Sequence, residues 1–353
     1  MTASGINVRP IRFRDLMRLH SMRTDALMPD QKHGPLGQRM ADPRSVMPFS
    51  RRGRKSFVAI ADGQVAGLID LISDPANHRW ILSRMLTSRH VAAERDGHLR
   101  DMVWRELALQ AIRAAGAARA KRIHAILNDD SAVISSLLST GFSEYARDTV
   151  LTLKNPTVVQ EAGLVRRQEP SDVWAIHQLY HQVTPKPVQY AEALTSNYWS
   201  RTVPSQPPAR GYVVEDGLEI IAHCRVTRGS DGPVIHLMVH PETLGLIEPV
   251  MQDVLADIGP NYGRTYSVVV PDYLQEYVSN LESIGFTVNG RQTRMVKYTV
   301  VAQRMQLRSV EEMAKEVPER VAAGSPTLSY ARPGSRKNVT HESDSKQGTQ
   351  GIS

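Results

Sequence analysis

Two hydrophobic periods alternate along this chain. Residues 5–11 alternate as a strand, and residues 12–27 place Leu16, Leu19, Met22 and Leu27 at helical spacing, which predicts a helix. A second helical region is predicted between residues 36 and 49. The runs 56–61 and 64–72 alternate around Asp62-Gly63, a pair that predicts a tight hairpin because such turns need positive φ. A strand at 80–86 leads through a polar loop into the longest predicted helix, 99–115, with Gly116 placed to stop it. Next come a strand at 122–127, a short helix at 132–138 that Asp130 can cap, and a segment at 142–153 that reads as a closing hairpin.

The order then returns. A strand at 164–169 precedes a helix capped by Ser171 and running to about Val183, and residues 186–199 are helical in pattern. The runs 211–214 and 219–226 meet at Asp216-Gly217, and 234–239 is a strand. A helix through Leu255 begins near Pro249, followed by a strand at 265–270, a helix at about 273–284 and a closing segment at 287–301. Individual residues repeat as well. Ser139-Thr140-Gly141-Phe142 answers to Ser283-Ile284-Gly285-Phe286, and Val8-Arg9 with Asp15 answers to Val165-Arg166 with Asp172. The offsets of 157, 154 and 144 residues are too long for a solenoid, whose repeats run to about 50 residues, and indicate duplicated domains. The expected division is residues 1–155, 156–303, and a segment 304–353 made of a short helix and a disordered tail.

Composition agrees with a folded chain. Of 353 residues, 41% are apolar and 22% charged, ordinary globular values. The single cysteine, Cys224, lies in an apolar stretch and reads as a buried structural thiol. The first residues carry no apolar leader region, so a soluble cytoplasmic protein is expected. A net charge of +7 raises the question of nucleic acid, but the basic clusters are short and no zinc-ligand spacing or aromatic RNA-binding signature accompanies them. The expectation is no nucleic acid, no membrane and no metal. Oligomeric state is not legible.

The element order β-α-α-β-β-β-α-β-α-β-β, twice, each copy ending in a glycine-phenylalanine pair after a short helix, resembles the GNAT superfamily of acyl-CoA-dependent N-acyltransferases in a tandem form. The resemblance implies an α/β (mixed α+β) fold: two GNAT-like domains, each a mostly antiparallel splayed sheet flanked by helices. It also implies acetyl-CoA as co-substrate, entering the splay with its pyrophosphate on the glycine-rich start of the long helix, where free N–H groups attract anions. In the first copy that loop offers Arg95, Asp96, Gly97 and His98, with one glycine where the family has two. The second copy, residues 240–249, has no arginine or lysine.

Other landmarks are thinned. The family's thiolate-protonating tyrosine falls on Leu137 and Leu281, with Tyr277 one turn earlier in the second copy. Asn128, at the end of its strand, matches a polar position that faces the pantetheine or the acceptor, and equally suits a helix cap. Candidates for a general base are His236, on the central strand of the second copy, and Asp70; a strand histidine can also be purely structural. Two functions fit. One is N-acyl transfer, acetyl from acetyl-CoA to an unidentified amine, by direct attack in a ternary complex. The other is a catalytically silent GNAT-like binding or scaffold protein.

Overall fold

The computed structural model describes residues 5–15, 22–27, 54–74, 78–93, 96–154, 162–200, 209–229, 232–259 and 265–299. The helical region predicted at 36–49, the segment 304–353 and Arg95 lie outside them. The strands are β1 (Asn7–Pro10), β2 (Met22–Leu27), β3 (Arg54–Ala61), β4 (Gln64–Asp74), β5 (Arg79–Ser88), β6 (Arg122–Asn128), β7 (Ser143–Lys154), β8 (Arg166–Arg167), β9 (Ala209–Asp216), β10 (Glu219–Arg228), β11 (Pro233–Val239), β12 (Thr265–Pro271) and β13 (Thr287–Tyr298). The helices are α1 (Arg89–Ala92), α2 (His98–Ala117), α3 (Val133–Ser139), α4 (Val173–Val183), α5 (Lys186–Glu192), α6 (Ile247–Ile258) and α7 (Glu276–Ser283). The sheet is mixed and mostly antiparallel, as the resemblance implies.

All thirteen strands join one sheet, in the order β1-β3-β4-β5-β6-β13-β7-β12-β11-β10-β9-β8, with β2 on β5. This order holds an exchange that the sequence does not announce. The closing strand of the first copy, β7, lies beside β12 of the second, and the closing strand of the second, β13, lies beside β6 of the first. β7 and β13 also pair with each other antiparallel. So 142–153 is no closing hairpin but one long strand between partners far away in sequence. Side chains follow the backbone: Leu151 and Leu153 of β7 enter the core of the second half, and Met295 of β13 enters that of the first.

Local chemistry explains most elements. Asp62 and Gly63 both take positive φ, 48° and 73°, the backbone a tight hairpin demands. β5 is buried at every position, because α2 and the neighbouring strands leave it no solvent face. Gly67 on β4 lets α2 approach: a Cβ there would lie 2.5 Å from Val103 Cγ1. The repeated residues recur as repeated geometry. Arg9 grips Asp15 through two nitrogens at 2.7 and 2.8 Å, and Arg166 grips Asp172 at 2.8 and 2.9 Å. Asp15 also accepts from the Arg12 N–H, and Asp172 from the Glu169 N–H.

Three further sequence expectations change. Residues 22–27 are a strand instead of the end of a helix, because an unpaired stretch of β5 offers hydrogen bonds that outweigh a weak helical preference. Gly116 does not stop α2; Arg119 takes the left-handed conformation instead, at φ 58°. The helical pattern 186–199 breaks at Ala193, φ 44°, into α5 and a 3-10 turn at Ser196–Trp199.

The exchange makes each half dependent on the other. Residues 1–155 expressed alone leave β6 without β13 and β7 without β12, and are expected to aggregate or dimerise, while co-expression with 156–353 restores a one-to-one complex on size-exclusion chromatography. A folded, monodisperse monomer of the fragment would contradict this pairing.

Candidate functional site

The two parallel strand pairs part early, and in the same way. β5 and β6 pair only at Arg79/Arg122, Trp80/Ile123 and Ile81/His124. β11 and β12 pair only at Val234/Ser267, Ile235/Val268 and His236/Val269. Beyond those points each pair separates, giving the splay that the resemblance implies. The residues at the two forks, Ile81 and His124 in one and His236 and Val269 in the other, all line the same central space. That space consists of adjoining cavities of about 170 Å³ and about 100 Å³. Both are bounded also by Arg79, Glu192, Tyr198 and Arg294.

An ion-pair chain runs along one wall. Arg294 of β13 donates through Nε to Asp148 of β7 at 2.7 Å and through Nη1 to Glu192 of α5 at 2.8 Å. The Tyr180 hydroxyl of α4 donates to the other oxygen of Glu192 at 2.8 Å. Burial, together with the Glu192 charge, pushes the Tyr180 phenol far up, so it stays a donor. On another wall Arg79 is held through Nε by Asp74 at 3.0 Å, and its guanidinium stands 5.4 Å from the Tyr198 ring centre. Arg225 stands at the same distance from that ring and donates to the Tyr198 carbonyl at 3.0 Å.

Two buried histidines are neutral. His124 packs edge-on against Tyr145 at 5.8 Å, its Nε2 has no hydrogen-bond partner, and burial holds its pKa well below the ordinary value. His223, 1% exposed, is pushed down to about 3 by burial and by Arg225. Cys224 is fully buried and its thiol is pushed up by burial, which leaves it no thiolate.

The splays themselves differ. In the second half, Tyr277 of α7 fills the gap: its hydroxyl accepts from the Val239 N–H and donates to the Val239 carbonyl, both at 2.8 Å. Tyr277 is 1% exposed and does not line the cavity. The offset that aligns Gly285 with Gly141 puts Val133 at the matching place in the first half, so no such plug exists there. The edge of β5 that β6 has left is instead paired by β2, from Met22/Ser88 to Leu27/Arg84.

The candidates read from the sequence scatter. His236 lines both cavities. Asp70 is fully buried, held by Arg84 at 3.1 Å, Arg54 at 3.3 Å and Ser56 at 2.8 Å, and does not line the cavity. Asn128 is exposed at the end of β6, opposite Gln292, with its carbonyl accepting from Ser131. Asp96 and His98 are exposed at the start of α2, flanking a buried Gly97 at φ 65°. Sequence reasoning passed over Arg79, His124, Asp148, Glu192 and Arg294. Four of these lie on strands, and Arg79, His124 and Asp148 are buried there; a charged or imidazole group at a buried strand position is the signal by which a lined cavity could be found. Among the described residues no cluster of His, Cys, Asp or Glu suits a metal ion, and no helix is long and apolar enough to cross a membrane.

No family model matches the sequence, and neither does any curated protein. Solved structures of similar shape carry the name of the family the sequence resembles. A GCN5-related N-acetyltransferase from Sphaerobacter thermophilus is 15% identical, TM-score 0.49, over 84% of this chain and 96% of that one. A tandem GNAT protein from the clavulanic acid biosynthesis pathway is 12% identical, TM-score 0.49, over 84% and 99%. A GNAT-family acetyltransferase from Colwellia psychrerythraea is 10% identical, TM-score 0.46, over 83% and 99%.

Two outcomes follow from the site. Tyr277→Phe leaves the Val239 N–H and carbonyl buried without partners and is expected to cost about 1–3 kcal/mol in denaturant unfolding; an unchanged midpoint would mean that the hydroxyl is not needed there. His223 ionises near pH 6.5 when unfolded but only near 3 when folded, so the unfolded chain binds the extra proton between those values. Stability is therefore complete above pH 6.5 and falls on acidification, by up to about 1.4 kcal/mol per pH unit per histidine. His223→Gln should flatten that slope in thermal melts; a slope equal to wild type would contradict it.

Proposed function

We propose that the chain is an acyl-CoA-dependent N-acyltransferase, acetyl-CoA being the expected donor and an amine the acceptor, with the cofactor held by the first copy. The observation that carries this reading is the early parting of β5 from β6, with α2 beginning ten residues after β5 ends and a left-handed, buried Gly97 at its start. The residues at that helix start suit a pyrophosphate in part. Gly97 permits close backbone approach and Arg100 adds positive charge, with His98 beside them as a hydrogen-bonding group, while Asp96 opposes an anion. In the second copy the helix start, residues 240–249, carries no arginine or lysine, and Tyr277 holds the edge of β11, so the first copy suits the anion better.

Bound acyl-CoA would supply an activated thioester, and the chain's residues would supply position and proton transfer. An amine attacks only when unprotonated, so a base within reach is needed. His236 is assigned that role, acting directly or through water. Asp70, locked between Arg54 and Arg84, orients β4 against β5, and Asn128 marks the outer end of β6. Arg95, Asp96, Gly97 and His98 form the proposed cofactor loop. Catalysis rests mainly on proximity. Residues 1–155 and 156–303 are the proposed duplicated domains, and the proposed setting is the cytoplasm.

One observation favours the alternative, a catalytically silent binding protein: β2 occupies the edge of β5 along which the pantetheine would run. Calorimetric titration of the full chain with acetyl-CoA separates the two. The proposed function predicts saturable binding that His98→Glu weakens by at least about tenfold through charge repulsion at the exposed helix start, with the melting temperature retained. No binding by the wild-type chain would overturn it and leave the silent reading.

A further inference from the structure

The central cavity has a chemistry of its own that acyl-CoA binding does not use. We infer that it is a binding site for a small organic acid, one carboxylate on an apolar or aromatic body, with the guanidinium of Arg79 as its anchor. The inference does not rest on acyl transfer; it rests on which charges face the cavity and which of them are already spent.

Five ionised side chains line the two adjoining spaces: Arg79, Arg225 and Arg294, against Asp148 and Glu192. Both carboxylates are engaged by Arg294, and Glu192 also by Tyr180. An incoming cation therefore finds no unspent acid. With Asp74 behind Arg79 counted, three arginines face three carboxylates, so the call for a carboxylate comes from the terminal nitrogens of Arg79, which Asp74 does not reach. A neutral ligand leaves a buried cation without its second partner, an arrangement that burial penalises.

Arg79 is built to present that charge. It is 8% exposed, and its Nε is fixed by Asp74, itself fully buried behind it. Its two terminal nitrogens have no protein partner among the described residues, and the residue lines both cavities. A fork held at Nε with both ends free matches the two oxygens of a carboxylate, the geometry that favours arginine over lysine. Tyr198 lies 5.4 Å beneath the guanidinium, which keeps the fork from folding away.

The remaining walls suit an apolar body. Trp199, Tyr180, Leu194, Leu237 and Tyr273 face the larger space, whose volume of about 170 Å³ far exceeds the roughly 10–15 Å³ that one water needs. His124, His223 and His236 add hydrogen-bonding capacity at its edges. Aromatic and aliphatic walls around a few convergent polar groups are the usual make-up of a small-molecule site.

The test uses the full chain without CoA. Phenylacetate, its neutral isostere phenylacetamide and the cation 2-phenylethylamine are titrated by calorimetry, with intrinsic tryptophan fluorescence as a second readout because Trp199 lines the cavity. The expected result is saturable binding of phenylacetate, with the amide and the amine weaker by at least about tenfold. Arg79→Lys keeps a charge beside Asp74 but loses the fork, and should weaken phenylacetate by a similar factor. Leu194→Trp, which fills the cavity from an apolar wall, should abolish binding. Equal affinity for acid and amide, unaltered binding in both variants, or no saturable binding at millimolar concentration would each overturn the inference. The wild-type comparison of acid with amide decides the matter even if a variant fails to fold. Failure here leaves the acetyl-CoA titration untouched, and failure there leaves this site standing.

Discussion

The exchange of closing strands between the two halves is the constraint from which the rest of this structure follows. β13 supplies β6 with a neighbour along its full length, and β7 does the same for β12. Only because both cross do Arg294 and Asp148 stand next to each other, one from each copy, with Glu192 beyond them. Three buried ions are tolerable because each has its partner; removal of either strand would leave an uncompensated charge in a low-dielectric interior, a far larger penalty than the net worth of the pairs. The exchange also accounts for the described residues between 5 and 299 forming one compact unit although the sequence reads as a duplication.

The same arrangement sets the place of the cavity. The two forks belong to parallel pairs on either side of the antiparallel centre β6-β13-β7-β12, and both open toward a common space. The two forks thus open on one shared cavity. The two halves differ within that frame. In the second, the Tyr277 hydroxyl satisfies the Val239 backbone at the free edge of β11; in the first, the chain's own β2 pairs with β5. Each is a solution to the same physical problem, since unpaired backbone groups inside a protein are costly.

Much of the fold was legible in local pattern. The hairpin at Asp62-Gly63, the long helix that became α2, and the repeated Arg9/Asp15 and Arg166/Asp172 pairs were all visible as spacing, and the structure turned the last of these into two like ion-pair clasps. What stayed hidden was long-range. Nothing within residues 142–153 says that their partners are 265–271 and 287–296, because strand alternation encodes a face and not a neighbour. β2 was hidden for a related reason: its helical spacing was overridden by an unpaired edge that exists only in three dimensions. Of the site, His236 was legible as a polar residue on a buried strand. Arg79, Asp148 and Arg294 carry the same signal, but they make sense only once the exchange brings their strands together.

A designed disulfide tests the exchange most directly. Ala125 of β6 and Met295 of β13 are register partners in the antiparallel pair, at the Cα separation a disulfide accepts. Cys224 is buried and should not compete. In the Ala125→Cys, Met295→Cys chain, mild oxidation should yield an intrachain bond in a monomer, seen as a peptide linking the two strands by mass spectrometry. Two thiols that stay free under the same oxidation, or a bond that forms only between chains, would mean that β13 does not lie beside β6, and the shared cavity would fall with it.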